Sequence, residues 1–198
     1  MRQVFFFVMA LMVSLTASAD WASDFEKLKN HPRSYEDSGA ICEEIARLDL
    51  ERDFENRFPE AHFDVLNGIG YADENGTLGE LDVVVFENNV ETNQKNVVQI
   101  AEVKCWKDIN GGLEKAREQR ARFIKALRSS KELKFYSTSS ATHFNRAAFS
   151  PNTQFITIGQ KGAGANGYDR ELQYELLELH RFRNEMVRCQ FHGQCARP

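Results

Sequence analysis

Two apolar segments with charges inside them constrain this chain most. Residues 79–86 read GELDVVVF and residues 97–106 read VVQIAEVKCW. Both have the β-branched, apolar make-up of buried strands. Yet Asp82 lies in the first, and Glu102 and Lys104 lie in the second. A bare charge in an apolar strand is costly unless it is paired or ligated. The fold must therefore bring these groups to each other or to a ligand.

Side chains alternate along a strand. Strict alternation puts Val98, Ile100, Glu102 and Lys104 on one face, and Val97, Ala101, Val103 and Cys105 on the other. In the earlier segment Glu80, Asp82, Val84 and Phe86 share a face, and Leu81, Val83 and Val85 share the opposite one. Antiparallel pairing would let Asp82 approach Glu102 and Lys104 from the same face. Two carboxylates beside a lysine form a hard-oxygen site of the kind Mg²⁺ prefers, completed by waters and substrate phosphate. The lysine would orient or activate an attacking water and stabilise developing charge.

Asp82 followed by Glu102-Val103-Lys104 resembles the D…E-x-K core of the PD-(D/E)xK nucleases, the restriction-endonuclease-like superfamily. The likeness covers about residues 39–127. The proline of the motif is absent, and Leu81 stands there. The resemblance implies an α/β fold with a three-layer α/β/α core, one central mixed sheet flanked by helices. It also implies Asp82 and Glu102 as metal ligands, Lys104 as the catalytic lysine, and Mg²⁺-dependent phosphodiester hydrolysis, with Mn²⁺ as the alternative ion. Such nucleases often add an acidic residue from the first helix. Ile41, Ile45 and Leu48 form the apolar stripe of that helix. Glu44 borders the stripe and is the candidate, with Glu51 next, while Glu43 points away. Gln119 resembles the further polar residue that many of these nucleases place near their site. The alternative function is a catalytically inactive relative that binds nucleic acid or a protein partner.

The remaining chain reads as a short amphipathic piece over 24–28 and a helix over 35–57 with Ser34 and Asp37 as a capping box. A strand follows over 63–71, then the 79–86 strand, a polar hairpin loop, and a strand over 96–106. Next come a helix over 113–128, a Ser/Thr-containing loop region, a strand over 153–158, the glycine-rich loop 159–167 and a helix over 169–187. That order describes one sheet flanked by helices.

Arg2, the apolar run 4–15 and the small-residue pattern Ala17-Ser18-Ala19 predict a signal peptide cleaved after Ala19. The remainder, 20–198, is expected to form one nuclease-like domain, exported to the periplasm or medium, with its core over about 35–160 and a C-terminal helix and cysteine loop over 168–198. An even number of cysteines in an exported chain favours disulfides. Cys189 and Cys195 are close enough in sequence to pair, leaving Cys42 and Cys105, although four cysteines allow three connectivities. Cys189, His192 and Cys195 are a rival metal-ligand set that lacks an obvious fourth member.

The formal charge is −4, so nucleic-acid binding must rest on local charge. Lys115, Arg117, Arg120, Arg122, Lys125, Arg128, Lys131 and Lys134 crowd residues 115–134, and Arg181, Arg183, Arg188 and Arg197 crowd 181–197. These two stretches are the candidate phosphate-backbone contacts. The expected substrate is DNA, with RNA as the alternative, cleaved with low sequence specificity. No recognition-helix or aromatic RNA-platform motif is evident. The histidines form no H-x-x-x-H pair, and the glycine-rich loop lacks the G-K-[ST] phosphate signature.

Overall fold

The structure, a computed structural model, describes residues 21–92, 94–129 and 132–198. The signal-peptide expectation lies outside these residues, as does Lys131. Helical residues 21–29 (α1) lead into α2 (Ser38–Arg57), then β1 (His62–Asp73), β2 (Gly76–Asn89) and β3 (Gln94–Lys104). After α3 (Ile109–Ser129) come β4 (Lys134–Ser137), β5 (His143–Phe144), β6 (Gln154–Gly159), β7 (Arg170–Glu171) and α4 (Leu176–Phe191). The strands form one mixed sheet of seven in the order β5-β4-β1-β2-β3-β6-β7. The β1–β2–β3 meander is antiparallel, and β3–β6 and β6–β7 are parallel.

Helices cover both faces of the sheet. On one, Ile41, Ile45 and Leu48 of α2 and Leu179, Phe182 and Met186 of α4 bury against Val83, Val85, Ala101 and Val103. On the other, Phe123 and Leu127 of α3 bury against Ile69, Leu81, Val84, Phe86 and Ile100. Each such side chain contributes about 1.5–3 kcal/mol by leaving water, so the two apolar faces clamp the sheet from both sides.

The expected elements shift where polar groups intervene. α2 starts at Ser38 rather than 35, because Asp37 is its N-cap and accepts from the Gly39 N–H at 2.8 Å. The β2–β3 hairpin turn is shorter than expected. Both strands run on through polar residues, whose backbones still pair at Glu87↔Asn96 and Asn88↔Lys95. The loop region after α3 contains β4 and β5, too short for an alternation signal; Phe135 is buried there and stacks on Phe149 with centroids 3.7 Å apart. Residues 169–175 are not helical. The Asp169 carboxylate accepts from the Thr157 N–H and hydroxyl, and Arg170 and Glu171 extend the sheet beside β6. α4 begins only at Leu176, where the Glu178 carboxylate accepts from the Glu175 N–H. In the glycine-rich loop, the Glu171 carboxylate accepts from the Gly162 and Gly164 N–H groups and Ala163 is buried.

A bulge exchanges the faces of Val97 and Val98. The β2–β3 register slips between Val85↔Gln99 and Phe86↔Val97, leaving Val98 as the extra residue. Val97 therefore joins Ile100 on the α3 face, and Val98 packs on the α2 face.

Both cysteine pairs are disulfides. Cys189–Cys195 closes the C-terminal loop, which sets aside the rival metal-ligand set. Cys42–Cys105 ties α2 to the residue just after β3, with Cα atoms 6.3 Å apart. These bonds are compatible with an exported protein, and no helix among the described residues is long and apolar enough to cross a membrane. The Cys42–Cys105 bond closes a loop of 63 residues and the Cys189–Cys195 bond one of only 6. Chain entropy then assigns about 4 kcal/mol to the first and about 2 kcal/mol to the second. Urea unfolding of Cys42→Ala/Cys105→Ala is expected to show the larger loss, and a larger loss from Cys189→Ala/Cys195→Ala would contradict this ordering.

Candidate active site

The site forms where three strands leave regular geometry together. Strict alternation would put Leu81 with Val83, but Leu81 and Val84 both face α3, as do Leu66 and Ile69 of β1. Each strand thus turns through one extra residue, Asp82 in β2 and Gly68 in β1. Because both do so, the register continues unshifted from Asn67↔Val83 to Ile69↔Leu81. Gly68 makes this local turn with φ +65°, and a Cβ there would lie 2.3 Å from Thr138 Oγ1. Thr138 fixes the kink by donating from its N–H and hydroxyl to the Gly68 carbonyl, at 2.8 and 3.0 Å.

On the other side of Asp82 the β2–β3 ladder stops at Val83↔Ala101. The Val103 N–H donates instead to Asp82 Oδ2 at 2.8 Å. The same oxygen accepts from Lys104 Nζ at 2.6 Å, and Lys104 Nζ lies 3.5 Å from Glu102 Oε2. Asp82, Glu102 and Lys104 are therefore brought together as the alternation argument expected. Glu102 is 0% exposed, and its Oε1 has no hydrogen-bond partner. Burial first, then the Asp82 carboxylate within hydrogen-bonding reach, push Glu102 well above the usual carboxylate range, while Lys104 opposes them. Burial works to lower Lys104, but Asp82 and Glu102 outweigh it and raise the ammonium.

The helix glutamates are arranged differently from the sequence expectation. Glu44 is fully buried in a cage of two arginines and a histidine: Arg33 and His31 reach Oε1 at 3.0 and 3.4 Å, and Arg47 reaches Oε2 at 2.8 Å. Burial works to raise it, yet His31, Arg47 and Arg33 together bring it down to about 2. Both its oxygens are occupied, so Glu44 buttresses α2. The carboxylate that faces Asp82 is Glu43, one residue earlier. Burial first, then the Asp82 and Glu80 carboxylates, raise Glu43 to about 7, against its ion pair with Arg33. Stripe geometry on an isolated helix placed Glu43 away from the core; it did not include the α1–α2 connection, where Arg33 draws Glu43 inward. Glu51 pairs with Arg47 at 3.5 Å and lines a separate depression beside His62.

Asp82, Glu43, Glu80 and Gln119 open on one cleft of about 990 Å³, walled by the α1–α2 connection and the β4–β5 turn. Gln119 reaches it from α3, and its Oε1 is buried without a partner. Among the described residues no group of three or more His, Cys, Asp or Glu side chains is arranged to hold a metal ion. The acidic pair Asp82 and Glu102 is bridged by Lys104. Sequence reading also passed over Glu80, two residues before Asp82 on the expected common face, which burial and then Asp82 raise.

The two basic stretches do not form one surface, because α3 and α4 cover opposite faces of the sheet. Arg183 donates to the Glu36 carbonyl and Arg197 to the Gln190 and Phe191 carbonyls, so both serve local structure. On α3, Arg117, Arg120, Lys125 and Arg128 line one shallow groove, and among the described residues none of the four has a carboxylate partner. Arg122 instead reaches the Tyr71 hydroxyl.

The Glu44 cage has a pH signature. Its carboxyl lies at about 2 in the folded chain against an ordinary 4.5, so the folded state holds fewer protons between those values. The stability it contributes is complete above about pH 4.5 and is lost as the pH falls toward about 2, by about 3 kcal/mol. Urea midpoints measured down this range should decline in the wild type and decline less in Glu44→Gln; parallel profiles would remove the cage as the cause. Comparison with family models, with curated proteins and with solved structures returned no match.

Proposed function

We propose that this chain is a metal-dependent nuclease of restriction-endonuclease-like fold, hydrolysing phosphodiester bonds of DNA with low sequence specificity. The observation that carries the reading is the meeting of Asp82, Glu102 and Lys104 where the β2–β3 ladder stops, with Glu102 Oε1 buried and unpartnered. A buried carboxylate oxygen without a donor is costly in a closed core, and a hard cation resolves that cost. The donor set fits Mg²⁺, or Mn²⁺, which takes one or two carboxylates and leaves its other positions to water and phosphate. Asp82 and Glu102 would hold the ion, which supplies charge neutralisation at the phosphoryl oxygens and activation of a water.

The chain's own residues do the rest. Lys104 Nζ, held by Asp82, is a fixed positive charge beside the pair and would stabilise negative charge as it develops. Gln119 Oε1 offers an acceptor on the opposite wall to orient a water or a substrate donor. Glu43, rather than Glu44, is the helix carboxylate whose ionisation Asp82 opposes. The unpaired cations of α3 are the part of the basic sequence that remains open to a phosphate backbone.

Plasmid and linear DNA, and RNA, incubated with the protein in Mg²⁺ or in EDTA test this directly. Cleavage is expected only with Mg²⁺, and Asp82→Ala and Lys104→Ala are each expected to lower it at least a hundredfold while keeping the wild-type circular dichroism spectrum. Binding of nucleic acid with no cleavage would favour the inactive relative instead. Full activity in both folded variants would falsify the assigned site.

A further inference from the structure

Of the elements that build the site, α2 and β3 are joined by a covalent bond at the site itself. Cys42 immediately precedes Glu43 on α2, and Cys105 immediately follows Lys104 at the end of β3. The residues between, Glu102 to Lys104, have lost their backbone pairing to β2, whose ladder with β3 ends at Val83↔Ala101. Their remaining ladder is the parallel one to β6, which itself ends at Lys104↔Gly159. On the β2 side the Asp82 side chain holds them, accepting from the Val103 N–H and from Lys104 Nζ. We propose that the Cys42–Cys105 disulfide is a positioning pair that sets the α2 carboxylate and the β3 end in working register, so that the site is competent only when this bond is formed. This rests on the nuclease reading above.

The chemistry is a dithiol–disulfide exchange. A dithiol reductant transfers two electrons and two protons to the Cys42–Cys105 bond, which breaks to two thiols, and the reductant leaves as its own disulfide. Cys105 is half-buried, so the bond is within reach of a reductant, while Cys42 lies in the core with Ile41 and Ile45. The apolar packing of α2 is untouched by the exchange, so the helix stays docked on the sheet. What changes is the positional tolerance of the Glu102–Lys104 segment, which is laddered on its β6 side alone. Displacements near 1 Å at reacting groups lower rates by about a hundredfold. The consequence is activity confined to oxidising surroundings. In a reducing compartment the same folded chain would be idle toward the nucleic acid around it.

The experiment compares the oxidised protein with protein held in excess dithiothreitol, alongside Cys42→Ala/Cys105→Ala and Cys189→Ala/Cys195→Ala. On DNA with Mg²⁺, reduction and the first variant are expected to lower kcat by about tenfold or more, with KM changed less than twofold. Re-oxidation restores the reduced protein, and the second variant keeps full activity and full sensitivity to the reductant. Should the first variant not fold, the reduced wild type carries the test: activity must fall along with the Cys42–Cys105 bond, counted by thiol labelling and mass spectrometry, before the circular dichroism changes. Backbone hydrogen exchange is read on the same samples without reference to activity. Reduction is expected to speed exchange at residues 102–105 about tenfold and to leave α4 residues 179–186 unchanged. Unchanged kcat and unchanged exchange on reduction would overturn the proposal. An oxidised protein that never cleaves, yet shows the exchange change, would overturn the nuclease reading and keep the structural tie.

Discussion

Asp82 Oδ2 accepts from two donors, the Val103 N–H and Lys104 Nζ, at the point where the β2–β3 ladder stops. A side chain thus stands in for a strand-to-strand hydrogen bond, and the opening of the strands follows from it. Were β2 and β3 paired through this point, a backbone carbonyl would take the Val103 N–H and no carboxylate would be drawn in between them. Because Asp82 takes it, Glu102 and Lys104 are held beside an acid rather than flattened against a neighbouring strand. The arrangement concentrates negative charge in the core, which is why burial and Asp82 together raise Glu102 and Glu43 so far. Strained electrostatics of this kind cluster where chemistry is done.

The surrounding structure is organised to keep that opening in place. Gly68 lets β1 follow the kink of β2 without a change of register, and Thr138 anchors it from the neighbouring β4–β5 turn. Glu44 binds Arg33, Arg47 and His31 around the first half of α2 and so fixes the helix that presents Glu43. The Cys42–Cys105 bond closes the circuit from that helix back to β3. The apolar layers on both faces leave the cleft at the sheet's surface as the place where the polar groups meet solvent.

Much of this was legible because period-two patterning is a strong local signal. Alternation puts Glu102 and Lys104 on one face, and the D…E-x-K resemblance singles them out together with Asp82; the helix over 113–128 rests instead on helical spacing. The misses came from interactions that no local pattern encodes. Val97 and Val98 exchanged faces through a bulge, and Leu81 left its expected face at the Asp82 kink. Glu43 was drawn inward by Arg33, ten residues away in the chain, while Glu44 was claimed by Arg33, Arg47 and His31. Leu172 and Leu176 are spaced as on a helix, yet Asp169 found a better partner in Thr157 on the neighbouring strand. Gly68 was the one available signal that went unread: a glycine inside an apolar strand marks a bulge or a close approach. The arginines of 181–197 look like a nucleic-acid surface in sequence, but two of them satisfy backbone carbonyls.

The central claim is that Asp82 and Glu102 form a cation site. The most direct measurement is a crystal structure of the protein grown with Mn²⁺ and recorded at a wavelength where manganese scatters anomalously. An anomalous peak is expected within about 2.0–2.3 Å of an oxygen of each carboxylate, absent in crystals of Asp82→Asn. Crystals with no peak between these two carboxylates, at Mn²⁺ concentrations that support or exceed those used for cleavage, would contradict it.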